Sequence, residues 1–167
     1  MADNLNFEYG TTESQTNTNM TAGTGSSVTT TAIGTAVING KWVTPLAVVA
    51  NAPVPTADST TGLPFVPMQP NMCCALVFGI NHLGALLMSQ GQVIACSAGA
   101  ALVPGPVLIA PQFPDLPNDF VPLAYTIVTT APGAAPWTPG TSAWTAAGVA
   151  FTPFQNVAQL PNRPQIA

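Results

Sequence analysis

Charge is what this sequence has least of. Asp, Glu, Lys and Arg make up 5% of its 167 residues, where an ordinary soluble domain carries about 25%. Lys41 and Arg163 are the only permanent cations and the net charge is −4. Nothing in the chain can neutralise a row of phosphates, and no direct nucleic-acid contact is expected. Histidine occurs once, at His82, and cysteine three times, at Cys73, Cys74 and Cys96. Without a Cys-x-x-Cys or a second histidine, no metal site is expected. The odd cysteine count points to free buried thiols in a reducing compartment, with Cys73 and Cys74 on opposite faces of a strand. Long apolar runs are also missing, since Pro64, Pro67, Pro70, Pro104, Pro106 and Pro111 cut the uncharged stretch between Asp58 and Asp115. No segment offers the roughly 20 residues of a membrane helix, so no membrane contact is expected. The opening Met1-Ala2-Asp3-Asn4-Leu5-Asn6 lacks the basic residue and apolar run of a secretory signal, so the protein is expected to stay in the cytoplasm where it is made. With 18 prolines and 14 glycines, no window sustains the three-to-four spacing of an amphipathic helix.

What the sequence does contain is strand and turn chemistry. Its length suits one domain with a core. Residues 1–27 are rich in Thr, Asn, Ser and Gly and read as an extended polar arm, disordered in isolation and ordered only if a neighbour holds it. The arm's charges are Asp3, Glu8 and Glu13, three acids and no base, suited to a basic partner surface. Residues 28–167 read as the β-domain. Val37-Ile38-Asn39-Gly40-Lys41-Trp42-Val43 sets Asn-Gly between apolar flanks, a strong hairpin signal. Prolines crowd residues 51–71, a surface loop. A meander follows: Met72 to Ile80, a turn at Asn81-His82-Leu83-Gly84, Ala85 to Met88, a turn at Ser89-Gln90-Gly91-Gln92, then Val93 to Ser97. Val107 to Ala110 reads as a short strand. Phe120 to Thr130 reads as a half-buried one, with Val121, Leu123, Tyr125 and Ile127 on one face. Val149-Ala150-Phe151-Thr152 is a last strand before an extended C-terminal strap at 153–167. The expected class is all-β, a single β-sandwich, jelly-roll-like or barrel domain.

Candidate chemistry is sparse. His82 and Cys73 sit at opposite ends of one strand, about 25 Å apart at about 3.3 Å per residue, too far for a Cys–His pair. Asp115 and Asp119 bracket Leu116-Pro117-Asn118, where Asp and Asn beside Pro are turn formers rather than an acid/base pair. No glycine cluster precedes a helix or a Lys as a phosphate cradle would. Neither catalysis nor a cofactor is expected. Trp42, Trp137 and Trp144 read as core or interface anchors in preference to a carbohydrate platform.

The run Cys74-Ala75-Leu76-Val77-Phe78-Gly79-Ile80-Asn81-His82-Leu83-Gly84, followed by Ser89-Gln90-Gly91, resembles small virion proteins of tailed bacteriophages. Leu116-Pro117-Asn118-Asp119-Phe120-Val121-Pro122-Leu123-Ala124-Tyr125-Thr126-Ile127-Val128 and Trp137-Thr138-Pro139-Gly140-Thr141-Ser142-Ala143 extend that likeness. Together these segments span about half the chain. Some such proteins are head decoration, or cement, proteins that bridge subunits of the major capsid protein. The resemblance implies a homo-oligomer on the capsid exterior whose partners are the major capsid protein and neighbouring copies. Its expected contact residues are Asp3, Glu8, Glu13, Trp42, Trp137 and Trp144. The alternative is a tail or fibre domain that holds host-surface glycans on Trp137 and Trp144.

Overall fold

The computed structural model describes residues 11–165, and over them the chain folds as strands and loops with no helix. The strands are β1 (Glu13–Ser14), β2 (Thr21–Ala22), β3 (Ser27–Thr29), β4 (Ala36–Ile38), β5 (Lys41–Trp42), β6 (Ala52–Pro53), β7 (Met72–Ile80), β8 (Leu86–Gln90), β9 (Ile94–Ala95), β10 (Val121–Thr130), β11 (Val149–Phe151) and β12 (Gln155–Asn156). The class is all-β, as composition and turn chemistry predict. None of its sheets closes into a barrel among the described residues.

Two long strands organise the rest. β7 and β10 pair antiparallel from Ile80–Val121 to Cys73–Thr129. All ten residues of β10 are buried, as are eight of nine in β7. β10 therefore differs from the half-buried strand expected: both of its faces are covered. Opposed residues in an antiparallel pair share a face. Cys74, Leu76, Phe78 and Ile80 of β7 join Ala124 and Val128 of β10 in the main core, while Val77 and Tyr125 enter a second cluster on the other side. A bulge between Pro122 and Ala124 changes which face each residue takes. The expected stripe Val121, Leu123, Tyr125 and Ile127 is thereby split, with Val121 and Leu123 in the main core and Tyr125 in the second.

The strands flanking this pair are interrupted in matching ways. β8 and β9 both pair with β7, and between Leu76–Gln90 and Cys73–Ile94 the three residues Gly91, Gln92 and Val93 face only Cys74 and Ala75. The expected turn at Ser89–Gln92 is thus a bulge inside one strand line, and Ile94–Ala95 continues along β7 instead of reversing. On the far side β11 and β12 both pair with β10, with Thr152, Pro153 and Phe154 facing Thr126 and Ile127. Pro153 has no N–H to give a ladder, which suits a bulge. The expected strand at Val107 to Ala110 does not form. Pro104, Pro106 and Pro111 remove donors on both sides of it, and Leu108 and Ile109 are exposed.

Two three-stranded sheets, β1-β4-β5 and β2-β3-β6, pack over the main core in a sandwich-like layering. Their strands supply Val28 and Ala36, and the segments flanking them Met20, Val43, Leu46 and Val54. The β4–β5 hairpin forms as expected, with Asn39 and Gly40 both at positive φ (49° and 73°), the signature of a type I′ turn. The second cluster is covered without a sheet, by Phe113, Leu116, Val157 and Leu160. Residues 11–27, expected as a free arm, are built into the body. Met20 is 1% exposed within the main core, and β1 and β2 pair with β4 and β3. One large apolar residue and a partner for its backbone suffice to hold them: Met20 N–H and Thr18 Oγ1 both donate to Asn156 Oδ1 (2.8 and 3.2 Å). Asp3 and Glu8 lie outside the described residues.

Gly79 is where the central pair tolerates no side chain, because an added Cβ would overlap the Val121 carbonyl and the Phe120 ring. Gly79→Ala should lower stability by about 3 kcal/mol, the upper end of overpacking costs. Gly25 is at φ +64 with open space around it, so Gly25→Ala should cost only about 1 kcal/mol of left-handed strain. Urea unfolding of the two variants checks the order; equal losses would show that the close approach at Gly79 is soft.

Candidate interaction surface

The three tryptophans have separate fates. Trp144 is buried at the centre of an aromatic cluster, its ring centroid 5.5 Å from Trp137, 5.3 Å from Phe151 and 5.6 Å from Phe154. Its Nε1–H donates to the Ser27 carbonyl at 2.8 Å, and the Trp137 Nε1–H donates to Ala143 O at 2.9 Å. Buried indoles satisfied in this way are core residues. Neither can stack on a glycan or anchor a partner, which corrects that expectation for Trp137 and Trp144. Trp42, in contrast, is 70% exposed on β5. Glu13 is engaged inside the chain, with Gln15 Nε2 donating to Oε1 at 2.6 Å and Gln159 Nε2 to Oε2 at 3.3 Å. Both oxygens of its carboxylate already have amide donors.

One pairing was invisible in sequence. His82 Nδ1 lies 2.6 Å from Asp119 Oδ2, and His82 N–H donates to Oδ1 at 2.9 Å. A carboxylate only accepts, so Nδ1 carries the hydrogen. Burial raises the Asp119 carboxyl, but the hydrogen bonds from the His82 ring and backbone and the ring's charge outweigh it, leaving Asp119 below its ordinary value. Both side chains are open to solvent, 61% and 46% exposed, and Asp115 is an exposed residue of irregular chain, before the turn at Asn118–Asp119, whose carbonyl accepts from Thr60 Oγ1. The pair ties the β7–β8 turn to the segment leading into β10. The partners' separation of 37 positions in sequence left no local signal for it.

The unusual feature of the surface is apolar. Among the described residues Ile33, Trp42, Val48, Leu63, Val66, Leu83, Leu102, Val103, Leu108 and Ile109 are exposed, ten large hydrophobic side chains against eight charged residues in the full sequence, two basic and six acidic. Single exposed hydrophobics are ordinary, whereas concentrations of them mark contact surfaces. Four of the ten fall in one uncharged segment, 101–110, where Leu108 and Ile109 are each 75% exposed. The segment's base is fixed: Gly133 N–H donates to Ala101 O at 2.7 Å, and Ala100 and Val103 exchange backbone hydrogen bonds. Between residues 103–107 and the β10–β11 edge runs a cleft of about 520 Å³ whose lining includes Ile127, Phe151 and Pro153. A firmly based segment presenting apolar tips beside an apolar cleft can bury surface on a partner without first being ordered. Comparison with family models, with curated proteins and with solved structures returned no match to this chain.

The thiols are placed for packing. Cys74 lies in the main core, and Cys73, on the opposite face, neighbours Cys96. Burial, reinforced by Cys96, pushes the Cys73 thiol up to about 11 from an ordinary 9.0. Burial pushes Cys74 up to about 12 against an opposing hydrogen bond from Gln90. Thiols raised in the folded state ionise more readily once unfolded. Their stabilising effect is therefore complete below pH 9 and is lost as pH rises towards 11 and 12. Urea unfolding should show stability falling steadily above pH 9, with a shallower fall in Cys74→Ala; a flat profile to pH 10.5 would contradict the burial of these groups. At pH 8 a thiol reagent should label the half-buried Cys96 first.

Proposed function

We propose that this chain is a structural virion protein, a capsid decoration or cement protein that binds the major capsid protein and stabilises the head from outside. The observation that carries the reading is the excess of exposed large hydrophobics over all charged residues, with four of them on the fixed, uncharged segment 101–110. A surface so poor in charge is unsuited to standing alone in water and suited to burial against neighbours in an assembly. The likeness to small phage virion proteins at Cys74–Gly84 and Leu116–Val128 supports the same reading. The protein would be made in the host cytoplasm and act on the capsid exterior as a homo-oligomer. A tail or fibre domain holding glycans would have to rely on Trp42, since Trp137 and Trp144 are enclosed.

Immunogold electron microscopy and quantitative mass spectrometry of purified particles test the proposal: labelling over the head with hundreds of copies is expected, while a few copies at the tail would favour the fibre reading and absence would reject both. Leu108→Ser with Ile109→Ser should leave the fold intact, since both side chains already face solvent. It should weaken binding to undecorated heads by roughly 3 kcal/mol, about a hundredfold, because two buried aliphatic side chains are lost. Unchanged occupancy in that variant would remove segment 101–110 from the interface.

A further inference from the structure

Glu13, Asp58, Asp115 and Asp119 are the acids among the described residues, and all but one are engaged within the chain. Glu13 takes the Gln15 and Gln159 amides, Asp58 takes Thr60 N–H at 2.7 Å, and Asp119 takes the His82 ring and backbone. Asp115 is the exception: it is exposed, and its carboxylate accepts no hydrogen bond from the described residues. Its backbone is nonetheless fixed. The Asp115 carbonyl accepts from Thr60 Oγ1 at 2.6 Å, and Pro114 and Pro117 stiffen the chain on either side.

The chain's one arginine has no carboxylate either. Arg163 is exposed beside a buried Pro164, and the one ion pair among the described residues is His82–Asp119. Arg163 lines a hollow of about 480 Å³ with Ile109, Gln112, Phe113 and Asn162. A guanidinium with two carboxamides near it offers an incoming carboxylate several N–H donors. The apolar walls beside it keep such a pair less screened than one on open surface.

The acid and the hollow share one face of the molecule. The Phe113 ring packs edge-on against Tyr125 at 4.9 Å, and Gln165 N–H donates to the Tyr125 hydroxyl at 3.1 Å. Asp115 is two residues from Phe113 and Arg163 two from Gln165, each a span of about 7 Å at most. A partner of another kind would have to bring both an acid for the hollow and a base for Asp115. A second copy supplies both, because across a two-fold axis each copy's Asp115 can enter the other's hollow at the same time.

We propose that a second copy of this chain docks on this face about a two-fold axis, with Asp115 of each copy paired to Arg163 of the other and the two Ile109 side chains covered between them. Ile109 is 75% exposed in the single chain. The contact rests on the reading of residues 101–110 as an interface. It gives the Ile109 end of that segment to a neighbouring copy and leaves Leu102, Val103 and Leu108 to face the head.

Sedimentation velocity of the full-length chain at tens of micromolar should show a dimer whose association weakens as salt rises. Asp115→Arg sets guanidinium groups face to face and Arg163→Asp sets carboxylates face to face, so each should weaken association at least tenfold. Circular dichroism and melting temperature should stay unchanged, because both side chains are exposed. An equimolar mixture of the two variants puts opposite charges at both contacts and should recover the dimer, as should Asp115→Arg combined with Arg163→Asp in one chain. Ile109→Ser should weaken the dimer and leave its salt dependence in place. A monomeric full-length chain, or a dimer indifferent to both charge reversals, would overturn the proposal. Recovery in the doubly substituted chain but not in the mixture would place the pair within one copy and overturn it as well. No particle enters these measurements, so a monomer leaves the cement reading standing, and absence of the protein from heads leaves the dimer standing.

Discussion

The antiparallel pairing of β7 with β10 is the constraint on which the rest depends. It is the longest ladder among the described residues, which include no helix, and it is buried on both faces. Antiparallel strands more often keep one wet face. Covering both demands apolar chain on two sides, and the molecule meets the demand differently on each. The main core is roofed by two small sheets and by the indoles of Trp137 and Trp144. The second face is roofed by the irregular segments around Phe113 and Leu160, with the Tyr125 hydroxyl accepting from Gln165 N–H at 3.1 Å. Proline-rich chain suits that second task, because a residue without an N–H leaves no buried donor to satisfy. The abundance of proline and the shortage of charge thus share an internal cause.

Sheet edges are a hazard for such a molecule, and proteins commonly guard them with lysine. With two permanent cations in 167 residues, of which Lys41 lies on the edge strand β5, this chain covers its other edges mostly with uncharged side chains and bulges. The outer edge of β8 is occupied by residues 58–60, with Ser59 N–H and Oγ donating to Met88 O and Met88 N–H donating back to Ser59 Oγ. The β12 edge is closed by Asn156, whose Oδ1 takes donors from Thr18 and Met20. Val66 and Gln90 fasten the proline-rich loop by exchanging two hydrogen bonds. Loops that composition alone marks as surface connections therefore act as edge covers.

Features governed by neighbours in sequence were legible. The Asn39-Gly40 turn and the full extent of Met72–Ile80 follow from turn chemistry and an unbroken apolar run. What escaped were interruptions that local pattern cannot show. An alternating reading of Phe120–Thr130 fails because the bulge near Leu123 changes the parity of the faces. The apolar run Val107–Ala110 has strand composition, but it is walled by prolines and turned outward. Residues 11–27 have the composition of a disordered arm, and Met20 with the distant Asn156 carboxamide reverses it. On the surface, the shortage of charge suggested contact with partners, yet of the four described residues expected as contacts, Glu13, Trp137 and Trp144 are engaged internally and Trp42 alone is open. Indoles look alike in sequence, and only tertiary position separates the enclosed Trp137 and Trp144 from the open Trp42.

These placements change how binding to a partner should be pictured. Three acids in the first residues of the chain suggested attachment by charge to a basic surface. Glu13 has its carboxylate satisfied by Gln15 and Gln159, which leaves Asp3 and Glu8 for that role. Exposed ion pairs contribute about 1 kcal/mol or less each and weaken as salt screens them. Each exposed Leu or Ile that becomes fully buried contributes roughly 1.5 to 3 kcal/mol, with little dependence on ionic strength. The exposed hydrophobics therefore dominate any attachment this surface can make, and the few charges are left to set register and orientation. An attachment made in this way would hold across large changes in ionic strength.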